Sequence, residues 1–205
     1  MVRYLKNQRE NRDKKRDIIH RYDSSSHFYD DRYRRLQQEK YKIVLEDFAF
    51  KEKKILDAGC GTGLLFDFII LHIVRENSMK YIYVGIDISI EMLKNFELKL
   101  NTRSKSVRRR ITLLLADLEN LPIRNEVFDS VFSLTSFQNL PDIAVGINEC
   151  LRVVKNMADL KISILKKKLC IDELLFLLKP KISDLEIINK ENIEDLIVQG
   201  KVLKD

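Results

Sequence analysis

Between Lys54 and Val154, short apolar runs alternate with longer stretches in which apolar positions return every three or four residues. Lys54, Ile55, Leu56 and Asp57 read as a short strand that enters the turn Ala58-Gly59-Cys60-Gly61-Thr62-Gly63, and Leu64 to Val74 follow with the pattern of an amphipathic helix. Tyr81 to Ile86, rich in β-branched and aromatic residues, predicts a second strand ending at Asp87, and Ser89 opens a helical pattern through Ile90, Leu93, Phe96 and Leu100. Ile111 to Ala116 predicts a third strand ending at Asp117, and Phe128 to Leu134 a fourth, after which Ile143, Ile147, Leu151 and Val154 fall at helical spacing. Strands alternating with helices in this rhythm predict an α/β fold of three layers, a mostly parallel sheet with helices on both faces. In such a sheet a ligand lies at the carboxyl ends of the strands.

The flanks follow different patterns. From Tyr22 to Phe50 the positions Tyr29, Tyr33, Leu36, Tyr41, Val44, Leu45 and Phe48 recur at three- and four-residue spacing, predicting helices laid as a lid over the domain edge. Residues 1–21 carry Arg3, Lys6, Arg9, Arg12, Lys14, Lys15, Arg16 and Arg21 against Glu10, Asp13 and Asp17, so they are expected to form a frayed or disordered basic arm. Toward the end, Leu160 to Leu165 predicts a strand, Ile171 to Leu178 a helix, and Leu185 to Ile188 and Ile197 to Leu203 two further short strands. With 205 residues, 45% of them hydrophobic, the chain has enough apolar material for one core, so residues 22–205 are expected to form a single domain.

Composition narrows the partners. Lys and Arg exceed Asp and Glu by 37 − 31 = 6, and a second cationic run, Arg103, Lys105, Arg108, Arg109 and Arg110, contains no acid. Such runs are solvated faces or contacts to a polyanion such as RNA. No stretch approaches the roughly 20 apolar residues of a membrane helix, and no apolar core of a signal peptide follows the charged start, so a cytoplasmic protein without membrane contact is expected. The three cysteines, Cys60, Cys150 and Cys170, are widely spaced and have no histidine at metal-ligand distance, which argues against both disulfides and a metal site.

The candidate chemistry sits where strands end. Asp57, Asp87 and Asp117 close three successive strands, and the first is followed by Gly59, Gly61 and Gly63. Glycines in a strand-to-helix turn admit positive φ and leave the main chain open to a ligand, because no Cβ blocks it. An acid at the tip of the second strand is placed to accept both hydroxyls of a ribose. The segment Ile55 to Gly63 resembles the first motif of the class I S-adenosylmethionine-dependent methyltransferases. Val84-Gly85-Ile86-Asp87-Ile88-Ser89 with Met92-Leu93 resembles their second motif, and Ala116 to Pro122 with Phe128 to Val131 the third and fourth. The resemblance covers residues 22 to 155 and implies a Rossmann-like fold and S-adenosyl-L-methionine as cofactor.

It also implies roles. Gly59 and Gly61 would pack on the cofactor's methionine portion, with Cys60 and Gly63 in the same turn, and Asp57 would meet its ammonium. Asp87 would hold the ribose with Ile88 against the adenine face and Met92 nearby, while Asp117 would accept from the adenine amino group and Leu118 cover the ring. Ser133 to Phe137 would lie beside methyl donor and acceptor, and Tyr22 and Tyr29 fall in a segment similar to the one that closes over the cofactor in many such enzymes. A dinucleotide fingerprint fails because Leu64 stands where its third glycine belongs, and no Gly-Lys-Ser or Gly-Lys-Thr of a P-loop occurs. No catalytic residue is assigned. Ser133 to Pro141 departs from the Asn-Pro-Pro-Tyr type, which disfavours transfer to adenine N6 or glutamine. Three readings stay open: transfer to a small-molecule or protein acceptor, transfer to RNA through the basic segments, and a non-catalytic cofactor-binding subunit that works with a partner.

Overall fold

Seven strands form one sheet: β1 (Lys54–Ala58), β2 (Ile82–Asp87), β3 (Ile111–Leu115), β4 (Phe128–Leu134), β5 (Val154–Leu165), β6 (Ile182–Ile188) and β7 (Asp195–Val202). The computed structural model describes residues 2–50, 53–73, 80–168 and 171–204; Val74 and Cys170 lie outside the described residues. The strand order is β3-β2-β1-β4-β5-β7-β6, parallel from β3 through β5, with β7 antiparallel to both of its neighbours. Chain order reverses between β1 and β4, so their carboxyl ends frame the crevice in which doubly wound sheets bind ligands.

Alternation along β1 decides the layers. Ile55 belongs to a core shared with α2 (Tyr29–Leu45), α3 (Leu64–His72) and α4 (Ile90–Asn101), where Tyr41, Val44, Phe66, Ile69 and Phe96 are buried. Leu56 points to the opposite core, with Ile147 and Leu151 of α6 (Ile143–Val153) and Leu174 and Leu178 of α7 (Ile171–Leu178). The chain thus has the Rossmann-like three-layer sandwich that the pattern predicts. Ser89 starts α4 by accepting from Met92 N at 3.2 Å, and Asp142 starts α6 by accepting from Val145 N at 3.2 Å.

Three expectations need revision. Of the segment 1–21 expected to be frayed, the described residues 2–21 belong to a continuous helix, α1 (Val2–Ser25), so the boundary expected after residue 21 falls inside a helix. Residues 2–25 hold no glycine or proline, and the charges of the helix anchor it: Lys14 Nζ donates to Leu140 O at 2.7 Å, Lys15 Nζ to Asp117 at 2.5 Å, and Arg21 to Asn139 Oδ1 at 3.1 Å. Strand β5 begins at Val154 rather than Leu160, because a register shift between Phe128 and Ser130 and the left-handed Met157 (φ 60°) break its alternation. Strand β6 begins at Ile182 rather than Leu185; a second register shift beside Asp184 (φ 52°) hides its start.

Candidate functional site

The turn after β1 is pinned to the neighbouring strand by Gly59 N and Cys60 N, which donate to Ile86 O at 2.8 and 2.9 Å. Gly59, Gly61 and Gly63 all have positive φ, of 84°, 53° and 81°, but their surroundings differ. A Cβ on Gly63 would lie 2.4 Å from the Phe96 ring, and one on Gly59 would lie 2.1 Å from Ser136 Oγ. A Cβ on Gly61 would meet nothing within 4 Å. The first two glycines therefore permit packing, while Gly61 leaves bare main chain facing open space.

Asp87, at the tip of β2, accepts from Gly61 N at 2.8 Å and Ser89 N at 2.9 Å, which ties the turn to the second strand. Burial raises its pKa, and the N–H groups of Ser89 and Gly61 oppose that rise. A carboxylate has about four lone-pair sites, so these two bonds leave Asp87 capacity for further donors. Asp57 lies deeper: it pairs in register with Gly85, two positions before Asp87, and only 3% of it is exposed. Burial lifts its carboxyl to about 7; the hydrogen bond from Tyr83 Oη opposes the shift and the Asp87 charge adds to it. Asp117 lies past the end of β3, where Lys15 of α1 bridges it and Glu119. The position expected to read an adenine amino group is thus already paired with a cation of the lid.

Gly61, Asp87 and Asp117 line one cleft with about 670 Å³ of empty space, part of it open to solvent. Of the residues expected there, Tyr22, Tyr29, Gly59, Gly61, Asp87, Ile88, Met92, Asp117 and Leu118 line it. Asp57 and Cys60 line a smaller adjoining cavity under the turn, which shares Tyr29, Gly59, Gly61 and Leu134 with the cleft. Two residues line neither. Gly63 caps the start of α3, and Ser133 is fully buried, donating to Ala58 O of the neighbouring β1 at 3.0 Å. Burial holds the Cys60 thiol well above its usual pKa, which removes it as a nucleophile.

Sequence reasoning passed over Lys15 and Ile18, which line the cleft with Tyr22 from successive turns of α1. Their three- and four-residue spacing was the available signal, obscured by the surrounding charge. It also passed over the cluster behind Thr135. Thr135 has a left-handed backbone, φ 61°. Its hydroxyl, Ser163 Oγ and Lys40 Nζ all donate to Asp195 Oδ2, at 2.8, 2.8 and 3.0 Å. Burial lowers the Lys40 pKa and the Asp195 charge opposes that fall. The cluster forms the floor of a second, larger cleft, with about 1970 Å³ of empty space, between α1, α2 and the segment after β4. Tyr22, Tyr29, Thr135 and Asn139 line both clefts and form their common wall. The tyrosine rings sit 6.4 Å apart, and Tyr22 Oη accepts from Asn139 Nδ2 at 2.8 Å.

The first cleft fits S-adenosylmethionine on this chain's own features. Gly61 gives open main chain, Asp87 retains acceptor capacity, Ile88, Met92 and Leu118 give apolar walls, and the buried acid Asp57 adjoins at one end.

The family described as "Methyltransferase domain" matches residues 56–160. The chain is 32% identical over 145 residues to a demethylmenaquinone methyltransferase of Porphyromonas gingivalis, covering 71% of this chain and 56% of that protein. It is 28% identical to a malonyl-[acyl-carrier protein] O-methyltransferase of Hamiltonella defensa, covering 68% and 48%. The chain therefore spans about half the length of these curated relatives. In fold it is similar to an S-adenosylmethionine-dependent methyltransferase of Aquifex aeolicus, with a TM-score of 0.67, 21% identity and coverage of 88% of this chain and 98% of that one.

Proposed function

The chain belongs to the methyltransferase domain family, whose class I members use S-adenosylmethionine, and we propose that it transfers the methyl group to a small organic acceptor bound in the second cleft. The observation that carries this reading is the common wall of Tyr22, Tyr29, Thr135 and Asn139, across which a cofactor in one cleft and an acceptor in the other would face each other. When bound, the cofactor supplies an electrophilic methyl group on a sulfonium sulfur. The protein's part is chiefly alignment, which is worth on the order of 7 to 11 kcal/mol. Gly61 would leave room for the methionine portion, Asp87 would hold the ribose and Asp57 would balance the ammonium, while Tyr22 and Tyr29 would exclude water from the wall. The Lys40–Asp195 pair would hold Thr135 in its left-handed conformation against the acceptor. An acceptor nitrogen that arrives neutral, or an oxygen that arrives ionised, needs no strong base.

Two findings favour a small organic acceptor over RNA. Several cations of the basic segments are spent within the protein: Lys14, Lys15 and Arg21 hold α1 down, and Arg103 bonds Asp67 at 3.0 Å. The relatives, moreover, are named for demethylmenaquinone and for a malonyl group on acyl-carrier protein, neither of them a nucleic acid. The test is transfer of tritiated methyl from S-adenosylmethionine to fractionated extract of the source cell. Label in the metabolite fraction is expected. Label in RNA, resistant to protease, would replace this reading with the RNA one, and label nowhere would replace it with a subunit that needs a partner.

A further inference from the structure

Resting on the reading of the second cleft as the acceptor's site, we infer that the acceptor is a small organic anion, its carboxylate or phosphate held by Arg32 and Arg35 and its inner end donating hydrogen bonds to Gln37 and Gln138. Phe28, in the 3-10 turn just ahead of α2, and Arg32, Arg35 and Leu36 of α2 follow one another at helical spacing and line the cleft. This stripe is not an ordinary solvated helix face. Phe28 is 67% exposed and Leu36 54% exposed, so large apolar side chains stand uncovered beside the two arginines.

The charges in the cleft do not cancel. Among the described residues neither Arg32 nor Arg35 has a carboxylate partner, whereas Arg34, on another side of the same helix, pairs with Asp30 at 3.1 Å. The acids of the cleft are partly spoken for: Asp195 pairs with Lys40 at 3.0 Å and Glu39 with Lys42 at 2.7 Å. Arg21 and Lys167 add to the cationic side, and the charge of Glu194 acts on Lys40, so cations outnumber acids along the cleft. The Arg32 guanidinium lies 5.2 Å from the Tyr33 ring centre, a stacking that leaves its N–H edge available. Arginine forks bind carboxylate and phosphate through paired hydrogen bonds, and both groups present the same oxygen geometry to them.

The inner end asks for the opposite chemistry. Gln37 Oε1 and Gln138 Oε1 are buried without a hydrogen-bond donor, and both residues line the cleft. Gln37 is only 5% exposed, and Gln138 spends its amide nitrogen on Thr135 O at 2.6 Å. Buried acceptors left unpaired are rare and unfavourable, and an O–H or N–H on the inner end of a ligand satisfies them beside Thr135, in the common wall. An acceptor of this form is anionic outside, apolar in the middle and donor-bearing where the methyl would arrive.

The test is an NMR titration of the full chain, with and without saturating S-adenosylhomocysteine, using benzoate, phenyl phosphate, benzyl alcohol and benzylammonium as probes. The two anions are expected to bind about tenfold more tightly than the neutral and cationic probes, and their ranking separates carboxylate from phosphate. In the double variant R32A/R35A that preference is expected to vanish while affinity for S-adenosylhomocysteine stays unchanged. A 3-hydroxybenzoate probe is expected to bind about fivefold more tightly than benzoate, and Gln138→Leu to erase the gain. Equal binding of anion and benzyl alcohol, an arginine variant that keeps the preference, or an RNA oligonucleotide that displaces the anions would overturn the inference. A chain that prefers the anions yet never binds S-adenosylhomocysteine would instead sink the cofactor reading, so the two failures are distinct.

Discussion

Asp57→Asn isolates one buried charge. The native carboxyl is 3% exposed and accepts from Tyr83 Oη, and burial lifts its pKa from 3.8 to about 7. An acid whose folded-state pKa is raised is held best in its protonated form, so its contribution to stability is complete below pH 4 and is lost as pH climbs through about 7. A shift of three units corresponds to about 4 kcal/mol, of which about 3 kcal/mol falls between pH 5 and pH 8. The asparagine keeps an acceptor for Tyr83 and does not titrate. Urea unfolding of both proteins across that range should therefore give a wild-type curve that declines relative to the variant by a few kcal/mol. Parallel curves would refute the assignment of a buried, largely protonated acid. A cation placed beside Asp57 reverses the effect, favouring the ionised form. Binding of S-adenosylhomocysteine at pH 6 should then release a proton in the wild type and not in Asp57→Asn, read as a dependence of calorimetric heat on the buffer's ionisation enthalpy.

Other perturbations separate fold from site. Gly61→Val puts its side chain into space that is empty around the built Cβ, so the fold should lose only about 1 to 3 kcal/mol from the positive φ while cofactor binding disappears; retained binding in calorimetry would contradict the cleft assignment. Gly63→Ala should do the reverse, destabilising by a few kcal/mol through the Phe96 ring at 2.4 Å with cofactor affinity intact in the folded fraction. Lys40→Met leaves Asp195 buried with a missing cation and should cost about 3 to 5 kcal/mol in denaturant unfolding; a neutral result would mean that the pair does not hold the Thr135 segment.

The first four strands were legible because each is a short apolar run set off by polar or turn-forming residues. The positions of Asp87 and Gly61 at adjacent strand tips follow the same pattern, and a hydrogen bond joins them. Ser133 turns away from the crevice because a strand's two-residue alternation sends successive side chains to opposite faces of the sheet, and sequence alone does not say which. Helix α1 was hidden by its charges: composition marks lysine-rich segments as solvated, but Lys14 and Lys15 reach carbonyl and carboxylate groups more than 100 residues away. The second cleft was invisible for a related reason. Lys40, Thr135 and Asp195 come together only when α2, the end of β4 and the start of β7 are packed, and nothing local in any of the segments marks them. The late strands blurred where left-handed Met157 and Asp184 interrupt the alternation.

Calorimetric titration of S-adenosylhomocysteine into the wild-type chain and into Asp87→Ala tests the whole account most directly, with unfolding midpoints measured to establish that both proteins are folded. The wild type should bind one equivalent, and the variant, having lost a charged acceptor for two hydroxyls, should bind about 100-fold more weakly. Equal affinity in the two proteins, or a folded wild type that binds nothing, would contradict the claim that these strand tips grip an adenosyl cofactor.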